Sequence, residues 1–436
     1  MAKRAAEPLV APVVDFAHDG RGVVKGEGKT AFVPDTIPGE TVRYQPRRRR
    51  RSHDEGELLE VLEASPDRVT PRCPHFGVCG GCSLQHVAPA RQLAAKQSQL
   101  EQNFQRIGGL SPQRWLEPLT GPLWGYRRRA RLAVKWVHKK EELLVGFRER
   151  GKPYVTVMDS CEVLDPRVGS RIPELKALIK GMDARERIPQ IEVAAGDQAV
   201  ALVFRHLDPL SQADIDRLAA FEADSGLTVY LQPGGLDSVA PLRPPGARLS
   251  YALPGGDLNI EFTPIDFVQV NAELNRRMIG HALDLLEAGP GDTVLELFAG
   301  LGNFTLPLAA SGAQVIAVEG EAGLVERGRA NAQRQKLSAD YHVADLFAEA
   351  AQSSAWLRAD WNKLLLDPPR AGADAILPAA LARRPERIVY VSCHPASLAR
   401  DAKIIAAAGY VCAAAGVMDM FPHTGHVESI ALFVPA

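Results

Sequence analysis

Six cysteines in 436 residues are too few to frame a chain of this length with disulfides. That scarcity argues against a disulfide-held secreted scaffold and for a reducing, cytoplasmic setting, where cysteines serve as metal ligands, nucleophiles or core residues. Long apolar runs are missing too. None is long enough to span a bilayer, and the opening MAKRAAEPLVAPVVDF lacks the apolar core of a secretory signal, so no membrane contact is expected. No internal repeat or low-complexity tract interrupts the chain. An excess of charge of one sign is also absent: 51 Lys+Arg stand against 52 Asp+Glu, a net charge of -1. Attraction to a nucleic acid must then come from local patches, and there are two, Arg47 to Arg51 and the run YRRRAR from Tyr126 to Arg131. Either alone reads equally well as a solvated basic loop. Two in the half of the chain without the chemistry favour RNA.

Composition is that of an ordinary globular chain, 46% hydrophobic and 24% charged, with room for two to four domains. Residues 1–67 hold short strand-like pieces (Val13–Phe16, Gly22–Val24, Thr30–Pro34, Thr41–Tyr44, Glu57–Leu62) between glycine and proline turns, which suggests an OB-like β-barrel. Such a barrel binds nucleic acid or is purely structural. Residues 68–270 mix helical and strand patterns and read as an α+β central domain. A helix near 90–107, with Leu93, Gln97, Leu100 and Phe104 at helical spacing, is placed where it can pack on the catalytic domain. From 271 to 436 strands alternate with helices, the signature of an α/β, mostly parallel, doubly wound sheet. Ligands of such sheets sit at the carboxyl ends of the strands. Gly300, Glu319, Asp345, Asp367 and Cys393 all fall there.

Glu296 to Asn303 (ELFAGLGN) joins a strand to a helix through a glycine loop, whose backbone can approach a ligand closely. It is not GxGxxG, which argues against NAD, and the chain has no Walker GK[ST], which argues against a nucleoside triphosphate. Glu319 ends the next strand, where a carboxylate accepts from ribose hydroxyls, and Asp345 ends the third, near an adenine edge. S-adenosylmethionine, which needs ribose and adenine contacts but no phosphate cradle, is the expected ligand.

The remaining parts suit methyl transfer to a pyrimidine carbon. C5 of uracil is a weak nucleophile until a thiolate adds at C6, and a base must then remove the C5 proton so that the thiol leaves. Cys393 follows an apolar strand in YVSCHP, and Glu428 lies in DMFPHTGHVES just before the strand Ile430 to Val434. Taken singly, Cys393 would be an inert core residue and Glu428 a surface carboxylate; their positions around one loop set favour nucleophile and base. His423 and His426 read as loop-orienting or RNA-contacting residues. Asp367, in DPPR, is either a turn or helix-capping residue or a carboxylate accepting from uracil N3–H, a donor that cytosine lacks. Cys73, Cys79, Cys82 and the later Cys161 supply four thiolates at uneven, glycine-flanked spacing. Zinc and an iron–sulfur cluster both fit, against a reading as reduced buried cysteines. No step of the proposed chemistry consumes an electron, so a metal there would be structural or RNA-positioning.

Together TPRCPHFGVCGGCSLQH, WGYRRRARL, FVQVN, the glycine loop, DPPR, VSC-x-P and DMFPHTGHVE resemble the bacterial 23S rRNA (uracil-5-)-methyltransferases of the RumA/RlmD type along nearly the whole chain. The resemblance implies a TRAM-like barrel, a central domain with a [4Fe–4S] cluster on Cys73, Cys79, Cys82 and Cys161, and a Rossmann-like methyltransferase domain. It implies contacts to S-adenosylmethionine from Gln269, Phe298, Asn303, Glu319, Asp345 and Asp367, with Gly300 in the loop between them. It implies Cys393 as nucleophile and Glu428 as proton acceptor. The implied substrate is a single-stranded or locally unfolded segment of 23S rRNA, with no obligate protein partner. A tRNA-directed relative is disfavoured here by the barrel and the cysteine cluster, and a non-catalytic RNA-binding or iron–sulfur sensor is the rival of a different class. One departure stands out: the family usually has Asn after the nucleophile, and this chain has His394.

Overall fold

Burial of period two builds the first unit. A computed structural model describes residues 7–26 and 28–436; Met1 to Ala6 and Glu27, within the stretches read above as a leader-free start and the barrel, lie outside the described residues. Along Leu9–Phe16 (β1), Ala11 and Val13 face inward while Val10 and Val14 face out. With Gly22–Val24 (β2), Ala31–Val33 (β3), Thr41–Arg49 (β4) and Asp54–Glu63 (β5) this strand closes a barrel of order β1-β2-β3-β5-β4. The arginine run differs from the loop expected for it. Arg47 to Arg49 prolong β4, antiparallel to the acidic β5. Arg43 pairs there with Glu60 at 2.7 Å, Arg50 with Glu55 at 3.3 Å, and Arg47 with Glu57.

The cysteine-bearing turns lead into the helix Pro89–Asn103, which ends in a π-turn, Phe104–Gly108. Leu100 and Phe104 are fully buried in one apolar cluster with Leu295, Leu364, Ile388 and Phe433, so this helix packs on the C-terminal sheet. Arg114–Trp115 (β6) then joins that sheet as its edge strand, parallel to a strand 300 residues later in the chain (Ala414↔Arg114).

The central region is a sheet of Arg129–Val137 (β7), Glu142–Gly146 (β8), Gln190–Ala195 (β9), Val200–Arg205 (β10), Thr228–Gln232 (β11) and Ala240–Pro241 (β12), in the order β12-β11-β10-β9-β7-β8. The second arginine cluster is not a loop either, and most of it is engaged inside the fold. Arg128 pairs with Asp197, Arg129 donates to the Pro264 carbonyl, and Arg131 pairs with Glu192 at 2.8 Å. A hairpin, Leu249–Ala252 (β13) and Asn259–Phe262 (β14), follows.

The C-terminal sheet comprises Thr293–Leu297 (β15), Gln314–Glu319 (β16), Asp340–Val343 (β17), Lys363–Leu366 (β18), Arg387–Ser392 (β19), Tyr410–Met418 (β20) and Glu428–Pro435 (β21). Its order is β17-β16-β15-β18-β19-β21-β20-β6, and β17 to β19 of that order run parallel. Both faces are covered by helices, which is why these strands read as continuous apolar runs. β21 runs antiparallel between β19 and β20. Among the described residues no helix is long and apolar enough to cross a membrane.

Candidate active site

Strand register sets the geometry of the site. Ser392 on β19 pairs with Ser429 on β21 in an antiparallel ladder. The ladder ends at that pair, and the next residue on each strand is Cys393 on one side and Glu428 on the other. Their electrostatics agree with that placement. Burial, followed by the carboxylates of Glu428 and Asp367, pushes the Cys393 thiol up to about 11, with Arg370 opposing. Burial, followed by Asp367, raises the Glu428 carboxyl well above its usual range, and Arg370 again opposes. Burial alone pushes Asp367, at the end of β18, up to about 7. Asp367 caps no helix. Thiol, two carboxyls and a guanidinium therefore form one group at the carboxyl ends of β18 and β19. Of the four, Cys393 and Arg370 line a cavity of about 790 Å³ between themselves and Thr424–Val427 on one side and the barrel turn Asp15–Gly20, the cysteine turn and the helix Pro89–Asn103 on the other.

His394, the departure from the family pattern, is the N-cap of the helix Pro395–Ala407. Its Nδ1 accepts from the Ser397 N–H at 3.3 Å. Burial, then the cations Arg370, His18 and Arg400, hold the imidazole below its usual range and so in the neutral form that has a lone pair to offer. Asn is among the best N-caps, so the two residue types share one task.

The glycine loop is bound to the neighbouring strand. Glu319 accepts from the Gly300 N–H at 3.0 Å, the Gly320 N–H at 2.8 Å and the Glu321 N–H at 3.1 Å, which fixes its carboxylate at the loop. Phe298 adopts a left-handed backbone with φ 65°, a strained conformation of the kind that marks ligand-binding turns. Its ring lies 5.9 Å from that of Phe347. Phe347 and Val343 are exposed apolar residues flanking Asp345, whose carboxylate accepts from the Phe347 N–H at 3.0 Å. Asn303 is engaged elsewhere: it exchanges amide hydrogen bonds with Asn275 at 2.9 and 3.0 Å and accepts from the Tyr251 hydroxyl at 3.0 Å. Asn275 and Tyr251 line a small pocket with Gln269, which ties that residue to the same corner. The residues fit a cationic adenosyl ligand. Glu296 is buried beneath the loop and pushed up to about 8 by burial, Asp367 and Glu319, and its Oε1 has no partner. A sulfonium and an ammonium group would relieve that concentration of carboxylates, and the exposed aromatic and aliphatic faces suit adenine.

Cys161 is brought within electrostatic reach of the other three cysteines. Burial, then Cys161, Cys79 and Cys73, push the Cys82 thiol up to about 12. Among the described residues no three His, Cys, Asp or Glu side chains converge closely enough to hold a single metal ion. A zinc–thiolate bond of roughly 2.3 Å would demand such convergence.

Three features of the site escaped the sequence reading. Arg370 was read only as part of the DPPR run, yet it is the cation facing both Cys393 and Glu428, and its Nη2 lies 3.2 Å from His426 Nδ1. Glu296 was read as loop sequence, and its orphaned oxygen follows from burial that only the fold supplies. Phe267, two residues before Gln269, is 74% exposed, far more than a core aromatic. An aromatic beside an expected ligand residue was the one available signal.

Comparison with known proteins matches this arrangement. The family model for tRNA (uracil-5-)-methyltransferases matches residues 88–434. A curated protein of Alkalilimnicola ehrlichii named 23S rRNA (uracil(1939)-C(5))-methyltransferase RlmD is 54% identical over 98% of this chain and 96% of its own length. Relatives of the same name from Xanthomonas euvesicatoria and Nitrosococcus oceani are 52% and 51% identical, also over 98% of this chain and over 97% and 96% of their own lengths. A solved Pyrococcus abyssi tRNA (uracil-54, C5)-methyltransferase in complex with S-adenosyl-L-homocysteine shares the fold. It superposes with a TM-score of 0.75 at 23% identity, over 98% of this chain and 100% of that one. Since that match spans the barrel, the barrel does not separate rRNA from tRNA enzymes, contrary to the expectation above. Identity, not architecture, makes that distinction. By both family model and full-length relatives the chain belongs to the S-adenosylmethionine-dependent RNA (uracil-5-)-methyltransferases, within the group of 23S rRNA (uracil-C5)-methyltransferases.

Proposed function

We propose that this enzyme methylates C5 of the 23S rRNA uridine that its relatives' names number 1939, through a covalent bond between Cys393 and C6. The observation supporting this reading is the end of the β19–β21 ladder, where the Ser392–Ser429 pair is flanked by Cys393 and Glu428, each within electrostatic reach of Asp367 and Arg370. Bound S-adenosylmethionine supplies an electrophilic methyl group. Cys393, as thiolate, adds to C6 and the C5=C6 electrons move onto C5 and O4. Arg370 is the cation that favours the thiolate, and Asp367 accepts from N3–H. C5 takes the methyl group. Glu428 then removes the C5 proton, the C–H electrons restore C5=C6, and the C6–S bond breaks to return the thiolate. Burial of Glu428 keeps water from competing for that proton and makes the carboxylate a stronger base. Gln269, Phe298, Gly300, Asn303, Glu319 and Asp345 form the adenosyl corner, with Asn303 acting through Asn275 and Tyr251.

Cys73, Cys79, Cys82 and Cys161 hold a [4Fe–4S] cluster in this reading. What supports this is that the four thiols lie within electrostatic reach of one another. The cluster carries no step of the reaction. The substrate is a single-stranded stretch of RNA in the cytoplasm, because the target base must leave its stack to reach the cavity. Exposed Phe267 offers a stacking face beside the adenosyl corner.

Cys393→Ala is expected to abolish methyl transfer while RNA binding persists, and Glu428→Gln to stall as an RNA adduct stable to denaturing electrophoresis. Full activity of the Cys393 variant would end the covalent reading. Anaerobically purified protein should show iron–sulfide absorption in the visible range and contain no stoichiometric zinc.

A further inference from the structure

The connection 419–427, which leads into Glu428, is buried. Asp419, Met420, His423, Thr424 and Val427 are each less than 9% exposed. What covers it comes from the other end of the chain. Lys96, itself only 2% exposed, donates to Asp419 Oδ1 at 2.6 Å and to the Phe421 carbonyl at 2.9 Å. One turn earlier on the same helix face, Gln92 accepts from the His423 N–H at 2.9 Å. Its amide group donates to the Val87 carbonyl at 2.8 Å and the Leu84 carbonyl at 3.0 Å. The Ser83 and Leu84 N–H groups both donate to the His423 carbonyl at 2.9 Å. The connection thus has its first residue, its middle and its turn each fixed by the segment 83–96, while its far end is held by the Arg370–His426 contact and by Glu428 entering β21.

A buried ion pair is a poor way to stabilise a fold, because two apolar side chains of similar volume do as well or better. Its distinctive property is geometric: one register satisfies it and others leave a charge unpaired. We propose that the helix Pro89–Asn103 is a strap that sets the position of the catalytic base, with Lys96 and Gln92 as positioning residues acting through Asp419 and His423. This rests on the reading of Glu428 as the group that takes the C5 proton. The step sensitive to the strap is then the late one, in which Glu428 gains the proton, C5=C6 re-forms and the C6–S bond breaks. Addition of Cys393 and methyl transfer come earlier and depend on the ends of β18 and β19, to which neither Lys96 nor Gln92 is hydrogen-bonded.

The test uses the double variant Lys96→Met/Asp419→Asn in the full-length protein, which removes both charges and leaves neither unpaired. Single-turnover reactions follow labelled methyl reaching RNA, tritium released from 5-tritiated uridine, and the fraction of enzyme trapped as denaturation-stable adduct. With the strap released, methylated adduct should form at nearly the parent rate. Tritium release should fall roughly 100-fold, the loss typical of a catalytic group displaced by about 1 Å, with KM for RNA unchanged. Gln92→Leu should give a milder form of the same split, and stands in for the double variant should that one not fold. Equal slowing of methyl transfer and tritium release, or parent behaviour in both, overturns the strap. Glu428→Gln run alongside separates the readings: if it forms no adduct, the base assignment fails, whereas if it stalls and the strap variants do not, only the present inference fails.

Discussion

A neutral imidazole capping the helix that follows Cys393 shows how far a single side chain can be read without its backbone. His394 is visibly out of pattern in the sequence, but its task depends on φ −144° and on the Ser397 N–H behind it, neither of which a residue string records. Because both residue types present a lone pair at the cap, His394→Asn should keep full activity. His394→Ala should lose about 1 kcal/mol of stability, measured by denaturant unfolding. Protonation of the imidazole would remove the same acceptor. The positions of Cys393 and Glu428 at strand termini were legible because each adjoins an apolar run in the sequence. Arg370 and Glu296 were not, since what makes them matter is proximity to charges on other strands. Asn303 shows the converse: its place in the loop was clear, but its amide is turned to Asn275 and Tyr251 rather than outward.

At the scale of elements, legibility followed side-chain pattern. The parallel strands β15, β16, β18 and β19 stood out as apolar runs, and the barrel strands as alternating ones. β20 did not, because its alanine-rich VCAAAG has weak strand preference and is fixed by its ladder with β21. β6 is two residues long and exists only through its partner. The arginine run was read as a loop since charge says little about backbone; the acidic residues of β5 opposite it explain how so many cations tolerate one strand. Arg48, Arg49 and Arg51 have no carboxylate partner among the described residues, unlike Arg47 and Arg50. These three are therefore the ones available to phosphates. Arg48→Ala and Arg49→Ala should each weaken RNA binding and lower the magnitude of the salt slope by about 0.7, the value for one single-strand phosphate contact. Arg131→Ala, whose partner is Glu192, should leave the slope unchanged.

For the whole molecule, the carboxyl cluster makes stability depend on pH in a definite direction. Asp367 and Glu296 titrate at about 7 and about 8 in the folded protein, against 3.8 and 4.5 for the free groups. The folded state thus binds protons more tightly than the unfolded one. The stability so gained is complete below the unfolded values and is lost as the pH rises through the folded ones. Without ligand, the unfolding midpoint should fall between about pH 4 and pH 8, and Asp367→Asn should shallow the fall. S-adenosylmethionine, carrying positive charge to the same place, should protect more at the alkaline end. A scan without that difference would mean that the cluster does not titrate as a unit. The closed barrel was legible in the sequence from its short alternating strands. A helix near 90–107 packed on the C-terminal region was part of that reading, but the joining of Arg114–Trp115 to the last sheet and the cover over its connection were not, because contacts such as Lys96 with Asp419, 323 positions apart, leave no local trace. That sheet also carries a consequence for biogenesis. β21 follows β19 and β20 in the chain yet lies between them, so on the ribosome a nascent polypeptide must keep an open slot until its final strand emerges. Products terminated before β21 would present two unpaired edges and be natural clients for chaperones and proteases.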